Sequence, residues 1–168
     1  MKLNVAEQLK LAGKAAHADL SVAFEPLDYS GRIVAFATPL QLKVDYVYDG
    51  DGFHVKGRLD TVLASECALC GRSFEEPFGF SFSERFMKNP SEEDECYEYR
   101  GEELDLNRMV NDLIFLNLPL SSVCDEACKG LCPVCGCNLN MARCSCAQDG
   151  LKTPFLSLGT LLNDDKEV

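Results

Sequence analysis

Eight of the ten cysteines in this chain stand in four close pairs: Cys67-x2-Cys70, Cys124-x3-Cys128, Cys132-x2-Cys135 and Cys144-x-Cys146. A short spacer lets one turn of backbone aim two sulfurs at a single point. A tetrahedral ion takes two such pairs, so four pairs provide for two closed sites. The chain's two histidines, His17 and His54, lie away from every pair, and the expected sites are therefore all-sulfur. The segment after Pro119 is cysteine-rich and poorly periodic to about Cys146. It cannot bury enough apolar surface to fold alone and needs metal.

Within Cys132-Pro133-Val134-Cys135-Gly136, proline fixes φ after the first cysteine and glycine permits a tight turn after the second. Backbone N–H groups can then point at both sulfurs. Eight residues separate Cys135 from Cys144, close enough for Cys144 and Cys146 to complete a compact site. Cys67, Cys70, Cys124 and Cys128 are left for the other. Their union closes a loop of 53 intervening residues. That closure costs on the order of 3–4 kcal/mol, against about 10–16 kcal/mol from a structural Zn²⁺. Exchange of pairs between the sites stays open at this point. Cys96 and Cys137 are left over as thiols.

Closed tetrathiolate sites keep no position for water, so the expected role of two Zn²⁺ ions is structural. The competing readings are an iron–sulfur cluster, a redox pair at Cys67 and Cys70, and a disulfide framework. No GxGxxG, GxxxxGK[ST], HExxH or GxSxG occurs, and a non-enzymatic protein is expected.

The first ninety residues read as β-structure. Leu40–Tyr48 alternates apolar and polar side chains, Asp49-Gly50-Asp51-Gly52 is turn chemistry, and Phe53–Ala64 makes the return strand of a long hairpin. Phe74–Phe86 alternates again, with Phe78, Phe80 and Phe82 on one face. Asp19–Phe24 is a weaker strand and Val5–Leu11 a short helix. The first cysteine pair, sitting between two strands, reads as a metal-binding knuckle. Residues 91–105 are strongly acidic and read as a solvated, mobile connection. A helix is expected over Leu106–Leu118, capped by Asp105 and stopped by Pro119. Leu106, Met109, Val110, Leu113 and Ile114-Phe115-Leu116 form its apolar stripe. A last helix is expected over Pro154–Leu162, followed by a polar tail.

The expected fold is thus α+β: an antiparallel β-rich domain with a packed helix and a zinc-stapled, cysteine-rich C-terminal segment. Its parts are residues 1–90, the acidic connection 91–105, and the helix with the zinc segment, 106–168.

The formal charge is −11. Two Zn²⁺ held by eight thiolates take it to about −15, which opposes long-range attraction to nucleic-acid phosphates. A local basic patch of Lys43, Lys56, Arg58 and Arg72 is outnumbered by Asp45, Asp49, Asp51, Asp60 and Glu66 in the same stretch. The N-terminus lacks a long apolar signal core and no apolar run reaches 18 residues. The expectation is a cytoplasmic protein without a membrane span.

The cysteine block resembles the YceD family of bacterial and plastid proteins, associated with accumulation of large-subunit ribosomal RNA. The resemblance rests on a C-x-x-C after a β-rich half, on the helix ending Leu116-Asn117-Leu118-Pro119-Leu120, and above all on the stretch from Cys124 to Asn140. That stretch runs Cys124-x3-Cys128-Lys129-Gly130-Leu131-Cys132-Pro133-x-Cys135-Gly136-x-Asn138-Leu139-Asn140, with C-x-C following. The chain departs from the family at Leu69, where arginine is frequent, and at Thr153-Pro154-Phe155, where Asp-Pro-Arg is frequent. The resemblance implies a non-enzymatic ribosome-biogenesis factor. Its acidic surface suits a basic protein partner such as a ribosomal protein or a nuclease. Direct binding to 23S-type rRNA and a thiol-redox or zinc-sensing role are the alternatives.

Overall fold

Strict alternation along Leu40–Tyr48 fixes the centre of the fold. In the computed structural model, which describes residues 1–29, 32–91 and 94–146, Leu40, Leu42, Val44 and Tyr46 are buried while Gln41, Lys43 and Asp45 are exposed. The elements in chain order are β1 (Lys2–Asn4), α1 (Ala6–Lys10), β2 (Ala15–Val22), β3 (Leu27–Tyr29), β4 (Arg32–Phe36), β5 (Leu40–Tyr48), β6 (Gly52–Glu66), β7 (Ser73–Met87), β8 (Tyr97–Glu98), β9 (Glu103–Asp105) and α2 (Asn107–Asn117). The chain divides into two compact units, Met1–Glu126 and Ala127–Val168.

In the first unit the long strand β6 organises a mostly antiparallel sheet of seven strands. One edge of β6 pairs with β7 over its whole length, from Gly52↔Met87 to Glu66↔Ser73. The other edge pairs first with β5, from Tyr48↔Phe53 to Gln41↔Asp60, and then with β4 at Phe36↔Leu63 and Ala35↔Ala64. Strand β2 flanks β5, β3 flanks β4, and β8 joins β7 in parallel. Strands β1 and β9 form a separate antiparallel pair. The β5–β6 turn is closed by Asp49, whose Oδ1 accepts the N–H groups of Asp51 (2.9 Å) and Gly52 (2.8 Å), while Gly50 takes φ of 106°. An aspartate at the start and a glycine at positive φ are what such a turn requires.

One face of the sheet carries the core. Phe53, Val55, Leu59, Leu63, Phe82 and Phe86 cluster there with Met109, Val110, Leu113 and Ile114 of α2. The helix is slightly shorter than its hydrophobic pattern suggests. The N-cap position falls to Leu106, which offers no side-chain cap, and the expected cap Asp105, one residue earlier, accepts the Asn107 N–H at 2.9 Å. Leu116 is 80% exposed, because two residues past Ile114 the helix has turned about 200°. The acidic run is also more structured than its charge implies. Tyr97 packs on Phe86 and Phe53 on Tyr99, while Leu104 of β9 is fully buried, so apolar residues spaced among the carboxylates pin residues 97–105 to the sheet side. Strand β2 begins four residues before the expected strand at Asp19, and the short strands β1, β3, β4, β8 and β9 were not legible as period-2 runs.

In the second unit, among the described residues 127–146, there is no helix or strand, and Cys132 is the one buried side chain. The backbone is tied by an isolated antiparallel bridge between Leu131 and Asn138 and by hydrogen bonds from Cys132 to Cys137 O (2.8 Å) and Leu139 to Gly130 O (3.0 Å). The helix expected over Pro154–Leu162 and the polar tail lie outside the described residues.

Candidate metal centres

The β6–β7 connection is built around sulfur. Cys67 closes the hairpin by donating its N–H to Arg72 O (2.9 Å) and accepting Gly71 N–H at its carbonyl (2.9 Å), with Gly71 at φ 69°. The same turn recurs at the third pair, where Gly136 N–H donates to Cys132 O (2.9 Å) and Gly136 takes φ 72°. Glycine is needed after the second cysteine of each knuckle because the backbone turns left-handed there.

The sulfurs meet in two quartets. Cys67, Cys70, Cys124 and Cys128 form one, and Cys132, Cys135, Cys144 and Cys146 the other; in each, all ligand atoms lie within 4.8 Å of one another. Cys70 Sγ and Cys124 Sγ are 3.7 Å apart. Four bonds of about 2.3 Å to one tetrahedral ion place the sulfurs about 3.8 Å apart, so the quartets have room for a single ion each. Sulfurs that all converge this closely suit one central ion better than a multi-iron cluster, where the four cysteines are divided among two or more metal atoms. Among the described residues no cysteine is disulfide-bonded.

The local backbone favours anionic sulfur. The Cys67 thiol is lowered to about 6, first by the N–H of Cys124 and then, against desolvation, by the N–H groups of Leu69 and Cys70. Cys132 is likewise lowered to about 6, by the N–H groups of Cys135 and Val134. Cys146 moves the other way, to about 12, because it hydrogen-bonds the Cys135 sulfur and is also desolvated beside it. Without a cation, four clustered sulfurs cannot all ionise. A divalent ion removes that obstacle, and the chemistry of the donor set fits zinc.

Two polar groups that the spacing gives no hint of support these quartets. Glu76 on β7 accepts Ser65 Oγ (2.6 Å) and Ser122 Oγ at one carboxylate oxygen, and Ser122 O accepts the Ala68 N–H (2.9 Å). The segment leading to Cys124 is thereby anchored on the first knuckle. Asn140 donates its side-chain Nδ2 to Cys128 Sγ at 3.3 Å. A half-buried carboxylate clamp in a strand has no sequence signature of its own, and the stretch ending Asn138-Leu139-Asn140 gives no hint that its last asparagine meets Cys128.

The leftover thiols, Cys96 and Cys137, stand in neither quartet. Lys43 and Arg58 are paired across β5 and β6 on the exposed face, with Lys56 beside them, but Asp45 is paired with Lys56, and Gln41 with Asp60. Asp19 is paired with Lys43 from β2. Acids and bases thus alternate on this face, and Arg72 lies at the knuckle outside it. His17 and His54 make carboxylate contacts, to Asp45 and Asp19 and to Asp49 respectively. Among the described residues no helix is long and apolar enough to cross a membrane.

Fold and sulfur geometry define the class: an antiparallel β-sheet protein with few helices, carrying two four-cysteine clusters that could hold metal ions. The chain belongs to the YceD family, whose model, described as large ribosomal RNA subunit accumulation protein YceD, matches residues 55–162. It is similar to the chloroplastic YCED homolog 1 proteins of Arabidopsis thaliana and Zea mays. The first is 27% identical over 156 residues, covering 74% of this chain and 49% of that protein. The second is 26% identical over 167 residues, covering 79% and 56%. An uncharacterized protein of Mycobacterium tuberculosis H37Rv is 34% identical over 103 residues, covering 58% of this chain and 49% of that protein. The chain therefore spans about half the length of the curated relatives it matches. No solved structure matches it.

Proposed function

We propose that this chain is a non-catalytic factor supporting accumulation of large-subunit ribosomal RNA, acting through contacts with a basic protein, with two Zn²⁺ ions as structural staples. The observation that carries the reading is the pair of convergent four-sulfur quartets in a chain of the YceD family. Four thiolates complete the coordination of a tetrahedral ion and leave no position for substrate or water. Zinc bound there would supply folding free energy, while the knuckle amides hold the sulfurs in their anionic form. The surface that remains for function is acidic, which suits a basic ribosomal protein or nuclease and speeds its encounter with this chain. The alternating charges on the exposed sheet face weigh against direct phosphate contacts as the main mode.

The test has two parts. Metal analysis of the full chain purified without added metal is expected to return two zinc ions per chain. Capture of partners from a lysate at low and high salt is then compared with binding of an isolated large-subunit rRNA fragment. A basic protein retained without RNA supports the reading. Affinity for the naked rRNA that falls steeply with salt replaces it with direct binding, and iron, or no metal at all, removes the zinc staples.

A further inference from the structure

The two quartets are joined by a side chain. Asn140 lies in the loop that closes the C-terminal quartet, five residues after Cys135 and four before Cys144, yet its amide serves Cys128 of the other quartet. Every polar atom of that amide is committed. Oδ1 accepts the Lys129 N–H at 2.8 Å, one Nδ2 hydrogen goes to Asn138 Oδ1 at 3.0 Å, and the other goes to Cys128 Sγ at 3.3 Å. The orientation is fixed, because a flipped amide would set its NH₂ against the Lys129 N–H, donor against donor. Asn138 is in turn held by the bridge to Leu131, and its Oδ1 also accepts the Asn140 N–H at 3.0 Å. All of these contacts lie within the second compact unit.

From this we infer that Asn140 couples the two metal centres. The inference rests on the reading that both quartets hold metal. Apart from these hydrogen bonds, only sulfur ligation ties down the loop between Cys135 and Cys144, since Cys132 is the one buried side chain among residues 127–146. An ion bound by Cys132, Cys135, Cys144 and Cys146 closes that loop at both ends and fixes Asn140 where it meets Cys128. The amide then orients the fourth sulfur of the other quartet and stabilises it as thiolate. Partners of this kind, one step removed from the metal, change its affinity by about 10–100-fold. Loading of the C-terminal centre therefore raises the affinity of the Cys67, Cys70, Cys124 and Cys128 centre, and by thermodynamic linkage the reverse holds by the same factor. Asn140 is a positioning residue, acting through Cys128.

The test is a cobalt(II) titration of the reduced, metal-free full chain, reading the thiolate-to-metal absorption in competition with a chelator. Wild type is compared with Asn140→Ala, Asn140→Asp, Cys144→Ser/Cys146→Ser, and Cys67→Ser/Cys70→Ser, which leaves the C-terminal quartet alone. Asn140→Ala is expected to weaken the centre containing Cys128 by about 10–100-fold and to leave the C-terminal centre of the Cys67→Ser/Cys70→Ser background unchanged. Disabling the C-terminal quartet produces the same loss at the Cys128 centre, and adding Asn140→Ala to it costs nothing more. Asn140→Asp keeps the acceptor for Lys129 but sets a carboxylate beside the sulfur, and it is expected to bind at least as weakly as the alanine variant. Wild-type affinity at the Cys128 centre in all these variants overturns the coupling. Absence of thiolate–cobalt absorption in wild type is a different result: it removes the metal reading itself, and the coupling with it.

Discussion

Stripping the metal separates what sulfur ligation holds from what the hydrophobic core holds. In residues 127–146 one small side chain, Cys132, is buried. Its burial contributes at most about 2 kcal/mol, while fixing the backbone costs roughly 1–2 kcal/mol for every one of those residues. On the proposed reading the difference comes from the ions, a structural Zn²⁺ contributing about 10–16 kcal/mol. In the first quartet, part of that is spent on joining Cys70 to Cys124 across 53 residues, about 3.5 kcal/mol. The sheet is independent of these terms, because Phe53, Val55, Leu59 and Phe86 are fully buried against α2 and its neighbours. Hydrogen exchange with and without a strong chelator under reducing conditions reads both regions in one sample. With metal removed, the N–H groups of Cys132, Gly136 and Leu139 are expected to exchange within a few-fold of an unstructured peptide. The β5–β6–β7 ladder is expected to keep most of its protection. If those three amides stay protected in the chelator, sulfur ligation is not what holds this segment. If the ladder collapses with them, the sheet does not stand on its own core.

Three further outcomes follow from particular contacts. Glu76→Ala removes the acceptor shared by Ser65 and Ser122, and it is expected to lower cobalt affinity at the Cys67, Cys70, Cys124 and Cys128 centre while leaving the C-terminal centre unchanged in the Cys67→Ser/Cys70→Ser background. Gly57→Ala drives a methyl into Lys43 O and places it 2.8 Å from the Phe82 ring; overpacking of this kind costs at least about 1–3 kcal/mol and is expected to lower the melting temperature by roughly 3–10 °C. The N–H groups of Gly52 and Asp51 hold the Asp49 carboxyl down at about 2. Its stabilising contribution is therefore fully present above the ordinary carboxylate range and is lost as the pH falls towards 2. The gap in urea midpoint between wild type and Asp49→Ala is expected to be constant from pH 7 to about 5 and to shrink below about 4; a gap that widens in acid contradicts the assignment.

Sequence made legible the features whose chemistry repeats at short range. Leu40–Tyr48 was readable to the residue, because one buried face and one wet face impose a period of two. The cysteine quartets were readable as proximity for the same reason: a knuckle is a local object, and Cys67-x2-Cys70-Gly71 and Cys132-x2-Cys135-Gly136 spell it out. The acidic run misled, since eight carboxylates between residues 91 and 105 outweigh Tyr97, Tyr99 and Leu104 in any charge count. Yet three apolar side chains with a place in the core are enough to order a segment. Short strands such as β1 and β9 contain one buried residue each and exist because each supplies the other's backbone hydrogen bonds. Glu76 was invisible because its role depends on which residues the register brings beside it, and Asn140, though part of the stretch that carries the family resemblance, gave no sign there of its contact with Cys128.

The charge of the chain is divided as sharply as its means of stabilisation. Ala127–Val168 contains four basic and four acidic residues, so the whole formal −11 belongs to Met1–Glu126, the unit that carries the sheet. Filling a quartet with Zn²⁺ adds about −2, since four thiolates outweigh one divalent ion. Neither unit thus acquires a net attraction for phosphates from its metal. A short basic cluster is felt beyond about 8 Å only if opposite charges nearby do not cancel it. On the exposed sheet face Asp19, Asp45 and Asp60 lie within one pairing position of Lys43, Lys56 and Arg58 and do cancel it. The field that reaches an approaching molecule is that of the carboxylates, and this is the ground on which a basic protein is proposed over RNA as the first contact.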